Sequence, residues 1–210
     1  MQHDLSLAGY GITLVPLYPW HANPLFGFID SDMWAGMAAS QPRNVDELAG
    51  LFASRIADPC TIAFALQSQR TGLMVGTTSL VDVNPDGQRA DIGGTFIGRP
   101  WWGTPTNRAS KFLLLEHAFG VLEVHRVGFR CDARNTRSAT AISRLGATYE
   151  GTLRSHRPAP DGSRSDTAVF SVLRAEWPGI RDGLMERLAS DVSPGADALA
   201  ADALPHDRAA

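Results

Sequence analysis

The feature that most constrains this chain is a strand-like run, ADIGGTFIG (90–98), that passes through RPWWGTPTN (99–107) straight into the apolar segment RASKFLLLEHAFG. A chain that goes from extended to helical within a few residues presents the first helical turn beside the end of a strand. Thr104 is the expected N-cap and Pro105 the first helical residue, where a missing N–H costs nothing. The free amides of that turn, backed by the positive end of the helix dipole, suit an anion, and Gly103 keeps bulk away from it. Two readings follow: the phosphates of a nucleotide-like cofactor, or the plain start of a core helix.

A second unit follows at His125. Val127, Phe129 and Cys131 alternate with Arg126, Gly128, Arg130 and Asp132, the period-two pattern of a strand with one buried face. Asn135 then caps a short helix whose Ala139, Ile142 and Leu145 form one apolar stripe, and Gly146 ends it.

The remaining elements fit around these units. GITLVPLY reads as a first strand, and a helix begins near His21–Phe28. Residues 30–41 are irregular, and Asn44 with Glu47 makes a partial capping box for a helix to Ala57. Thr61–Gln67, Leu73–Val83 and Gln88–Gly98 read as strands, with a turn at Asn84-Pro85-Asp86-Gly87. Two more strands, Thr148–Arg157 and Asp166–Arg174, flank Pro160-Asp161-Gly162, and Ile180–Leu188 is a short amphipathic helix. One domain over 1–189 is expected, with a disordered tail at 190–210 rich in Ala, Asp, Pro and Gly.

At 210 residues and 44% hydrophobic content, the chain can bury one sizeable core. A formal charge of −3 provides no basic field for nucleic acid. The two cysteines, Cys60 and Cys131, do not make a disulfide framework, so a reducing cytoplasm is expected. No run is long enough to span a bilayer, and the histidines lack metal-ligand spacing; no membrane or metal is expected.

In order along the chain, WWGTPTNRASKFLLLEHAF, DARNTRSATAISRLGA, EGTLRSH and DTAVFSVLRAEWP resemble the GNAT acyltransferases, in particular their RimJ/RimL-like branch. The resemblance runs from about Gly11 to about Leu188. It implies an α/β (α+β) fold: a central mixed, mostly antiparallel sheet flanked by helices, with two splayed parallel strands forming the CoA cleft. Those strands are Ala90–Gly98 and Val124–Asp132. Gly93-Gly94 either permits a bulge that opens the splay or serves ordinary sheet packing.

The resemblance further implies acetyl-CoA as cosubstrate. Its pantetheine arm would bond backbone groups near Thr95, Phe96 and Ile97. Its pyrophosphate would lie on the turn formed by Trp102, Gly103, Thr104, Thr106 and Asn107, with Lys111, one turn beyond Asn107, reaching a phosphate. Asn135 would contact the arm near the thioester, with Ser138 beside it. The acceptor would be an amine, of a small molecule or a protein N-terminus, entering between residues 30–41 and the His156–Arg164 hairpin. Trp34, Met33 and Met37 would line an apolar wall there, and Asp30 and Asp32 would attract a cation. A homodimer is the family-level expectation.

The chain departs from the family at three places. Pro105 removes an amide from the phosphate turn, Ile142 stands where many relatives carry a tyrosine acid, and Arg130 where some Rim-type enzymes carry a glutamate base. Asp132 is then the candidate base, with Asp91 behind it. A non-catalytic acyl-CoA sensor is the alternative function.

Overall fold

The computed structural model describes residues 2–37, 39–159 and 162–191. Along the chain run β1 (Leu7–Gly9), β2 (Ile12–Pro16), α1 (Ala22–Phe26), α2 (Ser31–Trp34), α3 (Val45–Ala57), β3 (Ile62–Ser68), β4 (Met74–Asn84) and β5 (Arg89–Ile97). Then come α4 (Thr106–Gly120), β6 (Arg126–Asp132), α5 (Thr136–Arg144), β7 (Thr148–Pro158), β8 (Arg164–Leu173) and α6 (Trp177–Asp191). The expected elements are present with shifted ends; β1 is an additional strand before the expected first one, α2 falls in the stretch expected to be irregular, and α6 is longer than expected at both ends. The expected tail lies outside the described residues apart from 190–191, which close α6.

The strands form one eight-stranded sheet in the order β1-β2-β3-β4-β5-β6-β8-β7. Every neighbouring pair is antiparallel except β5/β6. That exception follows from α4, because parallel neighbours need a crossover and α4 is the crossover between them. One sheet face packs on α4, α5 and α6 through Phe112, Leu115, Val127, Phe129 and Leu184. The other packs on the segment from α1 to α3 through Leu25, Trp34, Leu48, Phe52 and Phe96.

Local signals explain the helix starts. Asn44 Oδ1 accepts the Glu47 amide at 2.8 Å and fixes the first turn of α3. Glu47 completes only half a box, since its carboxylate takes the Arg43 amide and guanidinium instead of the Asn44 amide. Among the described residues no helix is long and apolar enough to cross a membrane.

Candidate active site

The site begins where β5 and β6 part. They pair in parallel from Arg89↔Arg126 to Ile92↔Phe129, and β5 then runs on to Ile97 and β6 to Asp132 without further pairing. On its other edge β5 pairs Gly93 with Ser79 and Phe96 with Thr77, so it carries an extra residue there, a bulge. Gly94 supplies the left-handed backbone, φ +58°, that this bulge requires. Of the two readings of Gly93-Gly94, the bulge is the one observed, at the level of the fork.

Both jaws of the fork carry helix starts. On the β6 side Asn135 caps α5, its Oδ1 accepting the Ser138 amide at 2.9 Å. Gly36 makes room for that side chain: a Cβ there would lie 2.2 Å from Asn135 Nδ2. On the β5 side the helix starts one residue later than the sequence suggests, with Pro105 at the cap position and no side-chain cap of its own. The Thr104 hydroxyl donates to the Trp101 carbonyl at 2.8 Å and takes the Thr106 amide at a long 3.4 Å.

Several amides expected to face an anion thus have partners inside the protein. The Trp102 amide donates to the Arg99 carbonyl at 3.0 Å, and the Thr104 amide to that of Trp101 at 3.4 Å. Positive charge gathers there from side chains instead. The Arg137 guanidinium lies 3.6 Å from the Trp102 ring centre and that of Arg99 lies 4.7 Å from it. The Trp102 indole N–H donates to the Ile97 carbonyl at 2.7 Å, which ties the turn to the end of β5. Sequence reasoning did not single out Arg99 or Arg137; their positions, one before the turn and one inside the α5 start, were the available signal.

A cavity of about 540 Å³ opens at the fork, lined by Trp34, Gly36, Gln41, Asp132, Asn135 and Arg137 among others. It brings residues of the 31–41 stretch together with the α5 start, whereas the His156–Arg164 hairpin, expected as the other side of the acceptor entrance, contributes no lining residue among the described ones. Its electrostatics differ from expectation. Asp30 is held by Arg99 through bonds of 2.5 and 2.7 Å and also caps α2 at the Met33 amide. Hydrogen bonding from Arg99 keeps its carboxyl far below the usual carboxylate range. Asp30 therefore completes an ion pair and does not present a free charge. Trp34 is buried against Phe96, with ring centres 5.8 Å apart, and serves the core as much as the cavity wall.

The two candidate bases differ sharply. Asp132 is buried and accepts from Arg134 Nε at 3.0 Å, Nη2 at 2.9 Å and the Arg134 amide at 2.9 Å, with Arg157 at 3.8 Å. The hydrogen bond from Arg134 is the main cause that brings its carboxyl down to about 2. Such an acid carboxylate is a poor proton acceptor at neutral pH, so its location suits a base and its partners do not. Asp91 is the opposite case. Burial pushes its carboxyl up, against the opposing charge of Arg130 at 3.0 Å. It pairs with Gly128 just before the strands part, and lines a cavity of about 270 Å³ with Asp82, Arg126 and Arg130.

Asp132→Asn tests the first assignment. The folded carboxyl sits below its ordinary 3.8, so its contribution is complete above 3.8 and is lost as pH falls to about 2. The expected cost is about 2 kcal/mol at neutral pH, vanishing over that window in denaturation followed against pH.

Lys111 is the clearest departure. It was expected to reach outward to a phosphate; it is buried, 6% exposed, with Nζ donating to Thr78 Oγ1 at 2.9 Å and Thr95 Oγ1 at 2.7 Å. The reason is helical geometry: Lys111 shares its face with Leu114, Leu115 and Ala118, all of which are buried. That i, i+3, i+4, i+7 spacing was legible in the sequence.

These features coincide with those of known proteins. A family profile described as the Acetyltransferase (GNAT) domain matches residues 12–148. The uncharacterized N-acetyltransferase p20 of Bacillus licheniformis is 28% identical over 116 residues, 55% of this chain and 64% of p20. The alignment therefore spans less than two thirds of that curated relative. A GCN5-related N-acetyltransferase from Brucella melitensis superposes with a TM-score of 0.83 at 25% identity, over 89% of this chain and 86% of that one. RimJ of Mycobacterium smegmatis, solved in complex with CoA-disulfide, shares the fold with a TM-score of 0.75 at 16% identity, over 89% of this chain and 95% of RimJ. With the parallel fork, a helix start on each jaw and a profile match across more than half its length, the chain belongs to the GNAT family of acetyltransferases.

Proposed function

We propose that this chain transfers an acetyl group from acetyl-CoA to a primary amine, as an N-acetyltransferase of the RimJ/RimL-like kind. The observation that carries this reading is the fork itself. β5 and β6 part after Ile92 and Phe129, between the α4 start and the Asn135-capped α5 start. An extended arm entering the fork would bond the free edge of β5 near Thr95 and Phe96, as an added strand does. Arg99, Arg137 and the α4 start would hold the phosphates, with Thr104, Thr106 and Asn107 around them.

The step is direct. The amine nitrogen attacks the thioester carbon, the carbonyl pair moves onto oxygen, and collapse breaks the C–S bond with the pair leaving on sulfur. The nitrogen loses a proton and the thiolate gains one. Of the two candidate carboxylates, burial pushes that of Asp91 up and hydrogen bonding from Arg134 pulls that of Asp132 down, but Asp91 lines a cavity separate from the one at Asn135 and would take the first proton only through water. No tyrosine stands at Ile142, which is buried in the apolar stripe of α5, so the thiolate leaves without that donor.

Because Arg99 pairs with Asp30 and also reaches Asp32, the acidic side of the acceptor entrance is reduced to the exposed Asp32, too little charge to favour a polycation. A singly charged amine, of a protein N-terminus or a small molecule, fits better. A reducing cytoplasm, in keeping with the unpaired Cys60 and Cys131, and a homodimeric assembly complete the reading. The absence of a side-chain acid at Ile142 favours the second reading, an acyl-CoA sensor.

Thermal unfolding with and without CoA and acetyl-CoA is the test. Ligand that binds only the native state raises the midpoint by mass action. A rise, followed by free-thiol release with a panel of amines, supports the enzyme; a rise without thiol release supports the sensor; no rise at millimolar CoA removes both. Asn135→Ala is expected to cost about 1 kcal/mol of stability from the lost cap and to shrink the CoA-induced rise.

A further inference from the structure

Two cations, the buried Lys111 and the half-buried Arg55, meet the bulge from opposite faces of the sheet, and neither has a carboxylate partner among the described residues. From α3, Arg55 turns its guanidinium inward, where Nη1 donates to the Gly94 carbonyl at 3.0 Å and to Thr77 Oγ1 at 3.3 Å. The Thr77 hydroxyl donates to the same carbonyl at 3.0 Å. From α4, Lys111 donates to Thr78 and Thr95, whose hydroxyls lie 2.8 Å apart. Thr78, Gly94 and Thr95 are the residues left without a register partner by the bulge. Buried charges are ordinarily paired, because leaving one unpaired in a low dielectric is costly. Here two of like sign meet at the bulge, Arg55 on the Gly94 carbonyl and Lys111 on the Thr95 hydroxyl.

We propose that Arg55 and Lys111 electrify the Gly94–Thr95 peptide, so that the fork stabilises the negative charge of acyl transfer, first on the carbonyl oxygen and then on the departing CoA sulfur. The geometry is specific. The peptide is trans, so its N–H points opposite to its carbonyl. The carbonyl is taken up on the β4 side by Thr77 and Arg55, which directs the Thr95 amide away from β4, to the side on which β6 parts. A cation on the oxygen of a peptide polarises its N–H into a stronger donor. Lys111, in its protonated form, adds a second charge beside the Thr95 side chain and fixes the residue that carries that amide. Preorganised dipoles and charges of this kind act where charge develops and need no reorganisation in the step. Arg55 acts through the peptide and Lys111 through the Thr95 side chain, so both are positioning residues.

This inference rests on the acetyltransferase reading, and its test separates the two. Arg55→Met and Lys111→Met are each expected to lower kcat by about tenfold or more while leaving KM for acetyl-CoA nearly unchanged, with Arg55→Lys restoring most of the loss. A second readout is independent of turnover. CoA bound to the wild type at neutral pH is expected to show ultraviolet thiolate absorbance, and bound CoA in both Met variants to lose it. Wild-type kcat and thiolate signal in folded variants would overturn the inference and leave Arg55 and Lys111 as clamps of the bulge. CoA that does not bind the wild type at all would remove the acetyltransferase reading and this inference with it. If Arg55→Met does not fold, Lys111→Met and Arg55→Lys carry both measurements.

Discussion

Lys111→Met is expected to stabilise the fold, by about 2–4 kcal/mol at pH 7. Burial brings the Lys111 amine down from 10.5 to about 7, with no acidic partner among the described residues to offset it. A lysine whose folded value is lowered weakens the fold as pH drops: between 10.5 and about 7 the unfolded chain binds a proton that the folded chain refuses. Stability should therefore rise with pH across that window in the wild type, and the rise should flatten in Lys111→Met. Thr78 and Thr95 keep each other as partners, so the substitution leaves no orphaned hydroxyl. Urea unfolding at several pH values gives the comparison. A variant less stable than the wild type at pH 7 would mean that the amine's two hydrogen bonds outweigh its desolvation. Greater stability with a lower kcat would be the signature of a residue retained for activity.

Gly94→Ala is expected to act in the opposite direction and to be among the most damaging single changes, costing about 2–4 kcal/mol. Gly94 sits at φ +58°, where a Cβ is strained whatever the space around it. Here there is also no space: the added Cβ would lie 2.9 Å from Arg55 Cζ and 3.0 Å from Nη1. Either the bulge flattens or the guanidinium leaves the Gly94 carbonyl. In both cases the fork loses its shape, so the CoA-induced rise in unfolding temperature should shrink beyond what the lost stability explains. Gly103 provides the contrast. It also has a left-handed φ, +76°, but a Cβ there meets nothing within 4 Å, so Gly103→Ala carries backbone strain alone.

Local features of the chain were legible. Asn44 and Asn135 announced their helices by a side-chain acceptor placed three residues before the amide it receives, a relation fixed by helical geometry. Alternation in β6 announced Val127, Phe129 and Cys131 as one buried face. The bulge was one of two readings of Gly93-Gly94. Burial of Lys111 could have been read from its spacing with Leu114, Leu115 and Ala118, had a charged residue been accepted on an apolar stripe. Arg55 likewise follows Leu48 and Phe52 on the inner stripe of α3.

Other assignments depended on contacts no local pattern encodes. Asp30 lies 69 residues from the Arg99 that neutralises it, and Arg55 lies 39 residues from the Gly94 carbonyl it holds. Asp91 and Asp132 are the same side chain in sequence, both near a strand end. Only packing made one carboxyl hard to ionise by burial and the other easy to ionise by the Arg134 guanidinium. By itself, then, the sequence determined periodicity, caps, turns and family, because these depend on residues a few positions apart. The tertiary structure alone decided which charges are paired, buried or left to act at the fork, because electrostatic energy depends on distance and dielectric in space and not on separation along the chain.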